Sequence, residues 1–297
     1  MTQKLLLESA SPLVPGKTRT RTRRASARRR PRPRGMITLS VALLALVVAV
    51  SWAIAPALFA PGDPTAGSLA DALQAPSAAH VFGTDATGRD VYTRVVHGAA
   101  YTLFSALCAV TLGMVAGTLL GLLAGAGPRW LDSTLMRLVD VLLSIPGLLL
   151  SLSVIILLGF GLFQIALAVA ITSVAAFARL VRGEVLRIRS ADFVEAAHAS
   201  GGTFAGVLFR HILPNSLSPV FAMAALQFGT AILAISALGF LGYGAPPPAP
   251  EWGLMIAEGR DYVATAWWLT TIPGVIVVVV VLATHRLSSA ISERSSR

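Results

Sequence analysis

The chain has 297 residues, of which 55% are hydrophobic and only 13% are charged. A soluble globular domain carries about a quarter charged residues, so this composition argues against a soluble enzyme. Of the 24 Lys and Arg residues, 11 lie between Lys4 and Arg34, and the rest of the chain has 13 basic and 13 acidic residues. A nucleic-acid-binding fold carries its basic charge on the folded body, so no nucleic acid is expected as a partner. The single cysteine, Cys108, excludes an internal disulfide and a cysteine-based metal site.

Residues 1–35 contain the stretch KTRTRTRRASARRRPRPRG, which has almost no apolar residues and several prolines. Such a segment cannot bury enough surface to fold, so we predict a disordered, Arg-rich cytoplasmic tail. Its favoured role is to set the topology and to contact anionic membrane lipid, with nucleic-acid binding as a weaker alternative. Gly16-Lys17-Thr18 resembles the end of a phosphate-binding loop, but Ser11 stands where that motif requires glycine. A nucleotide site within this chain is therefore not expected.

Long uncharged runs predict transmembrane helices, because one crossing needs about 20 apolar residues in a hydrogen-bonded helix. The 38 uncharged residues between Asp140 and Arg179 are too many for one crossing, and we place a break at Gly159-Phe160-Gly161. The predicted fold is an all-α integral membrane protein with six transmembrane helices, at residues 36–60, 99–124, 137–158, 162–180, 217–242 and 266–287. The predicted parts of the chain are an extracytoplasmic loop over 61–97, a five-helix core over 98–290 that includes a cytoplasmic loop at 187–215, and a cytoplasmic C-terminal tail over 291–297.

The distribution of basic residues predicts the orientation, because Lys and Arg near span ends are retained on the cytoplasmic side. With the N-terminus inside, 21 Lys and Arg residues face the cytoplasm and 3 face outward, namely Arg89, Arg94 and Arg260. Without the tail the ratio is still 10 to 3. We therefore place both termini in the cytoplasm and the chain in the cell membrane as a multi-pass protein.

The second predicted span carries glycine at every fourth position, at Gly113, Gly117, Gly121 and Gly125. This spacing places a shallow groove on one helix face, where the backbone of another helix can approach closely. Helix packing is the favoured interpretation. The sequence leaves open whether the partner helix belongs to the same chain or to another subunit.

Charged residues are absent from the centres of the predicted spans. Asp140 lies near the inner end of the third span, one helical turn from Arg137, which favours a local ion pair. This pattern weakens the alternative of a secondary carrier, which would need an intramembrane ion site or an internal repeat. A membrane-embedded enzyme would need a His/Asp/Glu group at one depth, and the histidines are scattered along the chain. We therefore identify no catalytic residue and no metal ligands.

The longest predicted inner loop has the sequence pattern of two short helices joined by glycines. Asp192 followed by Glu195 predicts a capping arrangement at the start of the first helix. Gly201-Gly202 is suited to the left-handed turn that ends a helix. Thr203 is positioned to cap a second short helix, which is expected to end before Pro214.

Particular residues of this loop resemble the EAA loop of binding-protein-dependent ABC transporter permeases, namely Glu195-Ala196-Ala197, Gly201 and Leu213-Pro214. The stretch Arg210–Asn215 is similar to the version in the dipeptide, oligopeptide and nickel subfamily. Two further segments resemble that subfamily, Gly83–Asp90 and Pro250–Trp268. The resemblance covers roughly residues 36–285. The Arg-rich tail and the last dozen residues depart from the family pattern.

The resemblance implies a permease subunit of the type I ABC importer fold, which performs no covalent chemistry of its own. Its implied partners are a second homologous permease, two cytoplasmic ATPase subunits, and an extracytoplasmic solute-binding protein. No cofactor is implied in this chain, because ATP and Mg would be bound by the ATPases. The implied solute is a di- or oligopeptide, with nickel or another metal chelate as the alternative.

The resemblance also implies roles for individual residues of the loop. Glu195 would fix the coupling helix that contacts the ATPase, and Ala196 and Ala197 would permit close approach. Gly201 would form the turn, and Leu213-Pro214 would attach the loop to the fifth span. Outside the membrane, the candidate contacts for the binding protein are Asp85, Arg89, Asp90, Glu251 and Trp252. The simpler interpretation of Gly83–Asp90 is a pair of capped turns, with Asp90 starting a helix.

Overall fold

The computed structural model describes residues 33–295 and, within that range, contains no β-strand. Most of the predicted tail over 1–35, and the last two residues of the predicted tail over 291–297, lie outside the described residues. The helices are α1 (Pro33–Ile54), α2 (Pro56–Phe59), α3 (Val91–Ala126), α4 (Arg129–Ser144), α5 (Gly147–Leu158), α6 (Leu162–Arg189), α7 (Asp192–Ala199), α8 (Phe204–Val207), α9 (Leu213–Phe240), α10 (Trp252–Gly259) and α11 (Trp268–Ser295).

Five helical segments of the described chain are long and apolar enough to cross a membrane. They are α1, α3, α6, the continuous stretch from α8 through α9, and α11. The bent pair of α4 and α5 raises the number to as many as six. The prediction of an all-α membrane protein is confirmed, and the first helix ends at Ile54, six residues before the predicted end at residue 60.

The third predicted span, over residues 137–158, is not one continuous helix. The segment is divided into α4 and α5, which are bent by 97° relative to each other. The break lies at Ile145-Pro146, where Ile145 has an extended conformation with φ −88° and ψ 129°. A residue before proline is disfavoured in the helical region, and proline has no N–H to continue the helix. The predicted break at Gly159–Gly161 is present, between the end of α5 and the start of α6.

The glycine face of α3 packs against α6 of the same chain. A Cβ atom on Gly113 would lie 2.6 Å from the Ser173 Cβ, and one on Gly121 would lie 2.6 Å from the Val181 Cβ. Each of the four glycines is buried. The structure therefore assigns this face to an internal contact, which the sequence had left open, and α3 and α6 form the closely packed centre of the subunit.

Helix α4 packs against both α6 and α3, near the predicted cytoplasmic surface. Val139 of α4 is buried against Ala175 and Ala178 of α6. The expected ion pair between Asp140 and Arg137 is not formed, because Asp140 pairs with Arg179 of α6 instead. Sequence spacing identifies a neighbour on the same helix, whereas here the carboxylate faces the adjacent helix.

Candidate functional site

The loop between α6 and α9, which contains the short helices α7 and α8, will be called the α7 loop. Helix α7 begins at Asp192 as predicted, but the capping prediction for Asp192 and Glu195 is wrong. Ala191 occupies the cap position, and no side chain caps the helix. Asp192 lies inside the first turn, where a carboxylate still interacts favourably with the helix dipole.

The turn after α7 requires glycine for a conformational reason. Gly201 has φ +84°, and a Cβ atom there would meet nothing within 4 Å. The requirement is therefore for the left-handed backbone conformation and not for space. The Gly202 N–H donates to the Ala197 carbonyl at 3.1 Å, and the Gly201 N–H donates to the His198 carbonyl at 3.0 Å. These bonds end the helix in the predicted place.

The second part of the loop is continuous with the fifth span. The Thr203 hydroxyl caps α8 by accepting from the Gly206 N–H at 3.2 Å, as predicted. The expectation that the second short helix ends before Pro214 is wrong, because a π-helical turn over Leu208–Ile212 connects α8 to α9. Pro214 is the second residue of α9 and directly follows this π-helical turn and Leu213. The fifth span therefore begins earlier than residue 217.

The α7 loop has one buried side and one exposed side. Val194, Val207 and Ile212 are buried in the main core, and Leu213 packs against the same core. Glu195, Ala196 and Gly201 are exposed, and Ala197 is half-buried. Within the described chain, the Glu195 carboxylate has no hydrogen-bonding or ion-pair partner. The exposed side of the α7 loop therefore consists of small side chains and one carboxylate that has no partner among the described residues.

Two aromatic side chains extend the exposed side of the loop. Phe193 is 48% exposed and Phe204 is 54% exposed. Both rings are available for contact with a partner protein, because aromatic residues are enriched at protein interfaces. The sequence analysis did not select these phenylalanines. Phe193 follows Asp192 and Phe204 follows Thr203, and both preceding residues were expected to cap helices.

At the opposite end of the molecule, four charged side chains form a network that we call the outer ion cluster. Arg94 of α3 donates to Asp85 at 3.2 Å and to Glu258 of α10 at 2.8 Å. Arg89 donates to Asp85 at 2.6 Å and to Glu258 at 3.3 Å. The Arg94 side chain is only 1% exposed, so its charge depends on these two carboxylates. The cluster connects the loop before α3 with α10.

Asp85 is held in its charged form by the surrounding donors. Burial is the largest single influence and acts to raise its pKa, but the combined effect of the other contacts is greater. Hydrogen bonds from the backbone N–H groups of Arg89 and Thr87 and from the Thr87 hydroxyl, together with the Arg89 charge, place the pKa of Asp85 below its ordinary value.

A second buried carboxylate, Glu251, caps α10. It accepts hydrogen bonds from the N–H groups of Gly253 and Leu254, both at 2.8 Å. Burial raises the pKa of Glu251 to about 7, although these hydrogen bonds act to lower it. The neighbouring Trp252 is fully buried, and its indole N–H donates to the Val95 carbonyl of α3 at 2.9 Å. Glu251 and Trp252 thus stabilise the packing of α10 against α3.

The five predicted outer contact residues fall into a buried group and a partly exposed group. Glu251 and Trp252 have no exposed surface and Asp85 has little, so in this conformation these three side chains act within the subunit. Asp90 caps α3 by accepting from the Thr93 N–H at 2.7 Å, as the simpler interpretation proposed. Asp90 and Arg89 keep some exposed surface, and a contact of these two with a binding protein stays a prediction.

Sequence reasoning missed Arg94 and Glu258 as members of the outer ion cluster. One feature of the sequence pointed to Arg94: it is the only Lys, Arg, Asp or Glu in the stretch that became α3. A charge on a buried helix requires a partner, because an unpaired charge is costly to bury. The partner Glu258 is 164 residues away and is not identifiable by spacing.

Residues 117–297 match the family model described as "Binding-protein-dependent transport system inner membrane component". The chain belongs to this family. The matched residues include the whole α7 loop, α9 and the outer carboxylates of α10. A member of this inner membrane component family is a transport subunit and not an enzyme, and it is a multi-pass protein of the cell membrane.

Relatives within the family carry names of peptide transport systems. The chain is 42% identical to a dipeptide transport system permease protein, DppC, of Alkalihalophilus pseudofirmus, over 85% of this chain and 84% of the relative. It is 39% identical to a glutathione transport system permease protein, GsiD, of Pectobacterium atrosepticum, over 74% and 73%. It is 41% identical to a probable D,D-dipeptide transport system permease protein, DdpC, of Escherichia coli, over 73% and 72%.

Solved structures share the fold at low sequence identity. A chain of the MetNI methionine ABC transporter in an inward-facing conformation matches with a TM-score of 0.57 and 20% identity, over 69% of this chain and 97% of that chain. A chain of an amino acid ABC transporter matches with a TM-score of 0.55 and 19% identity, over 68% and 94%. The fold of this family member is therefore that of ABC importer permeases.

Proposed function

We propose that this chain is the permease subunit of an ATP-driven importer of di- or oligopeptides. The names of three relatives at about 40% identity, each covering more than two thirds of the chain, support a peptide solute. The chain would enclose the translocation path together with a second homologous permease. An extracytoplasmic binding protein would deliver the solute to the side that carries the outer ion cluster.

The exposed side of the α7 loop is the proposed contact with a cytoplasmic ATPase. This proposal depends on one observation: α7 exposes Glu195 and Ala196 while Val194 on its other side is buried in the core. Because α7 is packed on core residues, a displacement of α7 would be transmitted to the helices that form this core. Small exposed side chains allow the backbone of α7 to approach a partner closely. ATP and Mg would be bound by two such ATPase subunits.

Reconstituted transport tests the proposal. Proteoliposomes would contain this chain, its partner permease and two ATPase subunits, with the binding protein added to the face opposite the ATPases. We expect ATP-dependent uptake of a labelled dipeptide or tripeptide, and no uptake when ATP or the binding protein is omitted. Uptake of labelled nickel chelate in place of peptide would overturn the peptide assignment, and uptake without ATPase subunits would overturn the proposed class.

A further inference from the structure

We propose that the ion pair between Asp132 of α4 and Arg182 of α6 transmits movement of the α7 loop to the broken helix α4–α5. The inference rests on the proposed function, because it assumes that α7 receives the force of an ATPase. It assigns to Asp132 and Arg182 the role of positioning residues in transport. Neither residue belongs to the motifs that identified the family.

The geometry of the pair is that of a two-point connection. The Arg182 Nε donates to Asp132 Oδ1 at 2.5 Å, and Nη2 donates to Oδ2 at 2.7 Å. Two parallel hydrogen bonds fix the orientation of both side chains, which a single contact does not do. A second pair, between Arg179 and Asp140, is formed three residues before Arg182 on α6. Between the two pairs, Val139 is buried against Ala178.

The break at Ile145-Pro146 separates two halves that are both attached to α6. On one side of the break are the ion pairs of α4. On the other side, the Ser151 hydroxyl of α5 donates to the Ala168 carbonyl of α6 at 3.5 Å, and Ile155 is fully buried. Displacement of α6 therefore acts on α4 and α5 at separate points, and the residues at the break are placed to absorb the difference.

Helix α6 provides a continuous connection from this pair to the α7 loop. It is uninterrupted from Leu162 to Arg189, and α7 begins three residues later at Asp192. Arg182 lies about 10 Å from the end of α6 along the helix axis, at 1.5 Å per residue. Helix α6 is also packed tightly on α3, where a Cβ atom on Gly125 would lie 2.8 Å from the Val185 Cβ. Helix α6 is therefore held closely against α3, while α4 is attached to α6 by ion pairs and by the apolar contact of Val139.

The partial exposure of the pair allows a role in transmission to be tested separately from a role in folding. The side chains of Arg182 and Asp132 are 34% and 24% exposed. Breaking a partly exposed ion pair costs less folding stability than breaking a fully buried one. A change at this pair is therefore expected to leave the folded subunit intact. A defect in transport without a defect in assembly would then report on transmission.

The test compares charge variants in the reconstituted complex. Arg182→Glu is expected to reduce peptide uptake at least tenfold while ATP hydrolysis stays within twofold of the unchanged complex. The doubly changed chain, Asp132→Arg with Arg182→Asp, is expected to recover uptake to within about threefold. Glu184→Gln is the matched control, because Glu184 pairs with Arg187 of the same helix and that pair does not connect α6 to α4.

Each remaining outcome decides the proposal. Uptake by Arg182→Glu equal to that of the unchanged complex would overturn it, and so would a reversed pair that assembles but transports no better than the single variant. If Arg182→Glu fails to assemble, Arg182→Gln takes its place, and normal uptake by that variant would overturn the proposal. Absence of uptake by the unchanged complex would instead contradict the proposed function.

Discussion

Gly117 of α3 and Phe177 of α6 are so close that a Cβ atom on Gly117 would lie 2.5 Å from the Phe177 Cβ. The same atom would lie 2.6 Å from the Val174 carbonyl oxygen. Neither neighbour is the end of a flexible side chain, so the contact can be relieved only by separating the two helices. The spacing of the glycines therefore fixes the distance between α3 and α6, and with it the position of the α7 loop.

Gly117→Val is expected to destabilise the subunit, because the added atoms force α3 away from α6. Overpacking of this kind costs about 1 to 3 kcal/mol. Thermal unfolding of the detergent-solubilised protein, followed by size-exclusion chromatography, measures the change. Gly183→Ala is the control on α6, where a Cβ atom meets nothing within 4 Å. Equal unfolding temperatures for Gly117→Val and the unchanged protein would contradict this account of the helix contact.

Arg94→Met is expected to destabilise the outer end of α3, because Asp85 and Glu258 would lose the cation between them. Breaking a buried ion pair by removing one partner costs about 3 to 5 kcal/mol. Limited proteolysis of the loop over residues 61–90, together with thermal unfolding, measures the effect. The exposed pair of Arg260 and Asp261 provides the control, since Arg260→Gln should change neither measurement. Unchanged protease resistance in Arg94→Met would show that the cluster is not needed to hold the loop.

The sequence predicted the spans well wherever hydrophobic length alone determined them. A bilayer requires long uncharged runs, so α1, α3, α6 and α11 were identifiable from residue charge and polarity. The positions of the turn at Gly201 and of the cap at Thr203 were also predictable, because each depends on the conformational preference of one residue. The two short helices of the α7 loop were therefore predictable from local sequence.

The sequence could not predict features that depend on distant neighbours. Pro146 marks a break within its apolar run, but the 97° angle between α4 and α5 cannot be derived from residue spacing. The partner of Asp140 was assigned to its own helix, because spacing along a helix says nothing about an adjacent one. The burial of Glu251 and Trp252 has the same origin, since Thr102 of α3 contacts both and Gly239 of α9 lies against Glu251.

The stability of the subunit is expected to fall as the pH rises, because Glu251 is buried. Its pKa is raised from 4.5 to about 7, so the folded form keeps a proton that the unfolded form releases. The stabilisation is fully present below the ordinary pKa and is lost as the pH rises through about 7. The total effect is on the order of 3 kcal/mol by linkage.

Glu251→Gln should remove this contribution, because the amide does not ionise. Thermal unfolding between pH 5 and pH 8 (roughly the window of that linkage) measures the difference between the two proteins. Asp261→Asn, at an exposed carboxylate, should give a curve parallel to that of the unchanged protein. If Glu251→Gln also gives a parallel curve, then Glu251 is ionised in the folded protein at all these pH values, and its burial does not control the titration.

Gly201→Asp is expected to uncouple peptide uptake from ATP hydrolysis while leaving membrane insertion intact. Gly201 has φ +84° and an exposed position, so an acidic side chain there costs little in packing but places a charge on the proposed ATPase contact. Gly201→Asn separates the two effects, because asparagine tolerates the left-handed conformation and adds no charge. We expect at least a tenfold loss of uptake for the aspartate and a smaller loss for the asparagine, measured in proteoliposomes with the ATPases present. If the purified Gly201→Asp complex keeps its ATPase subunits and transports normally, the turn does not lie at the contact.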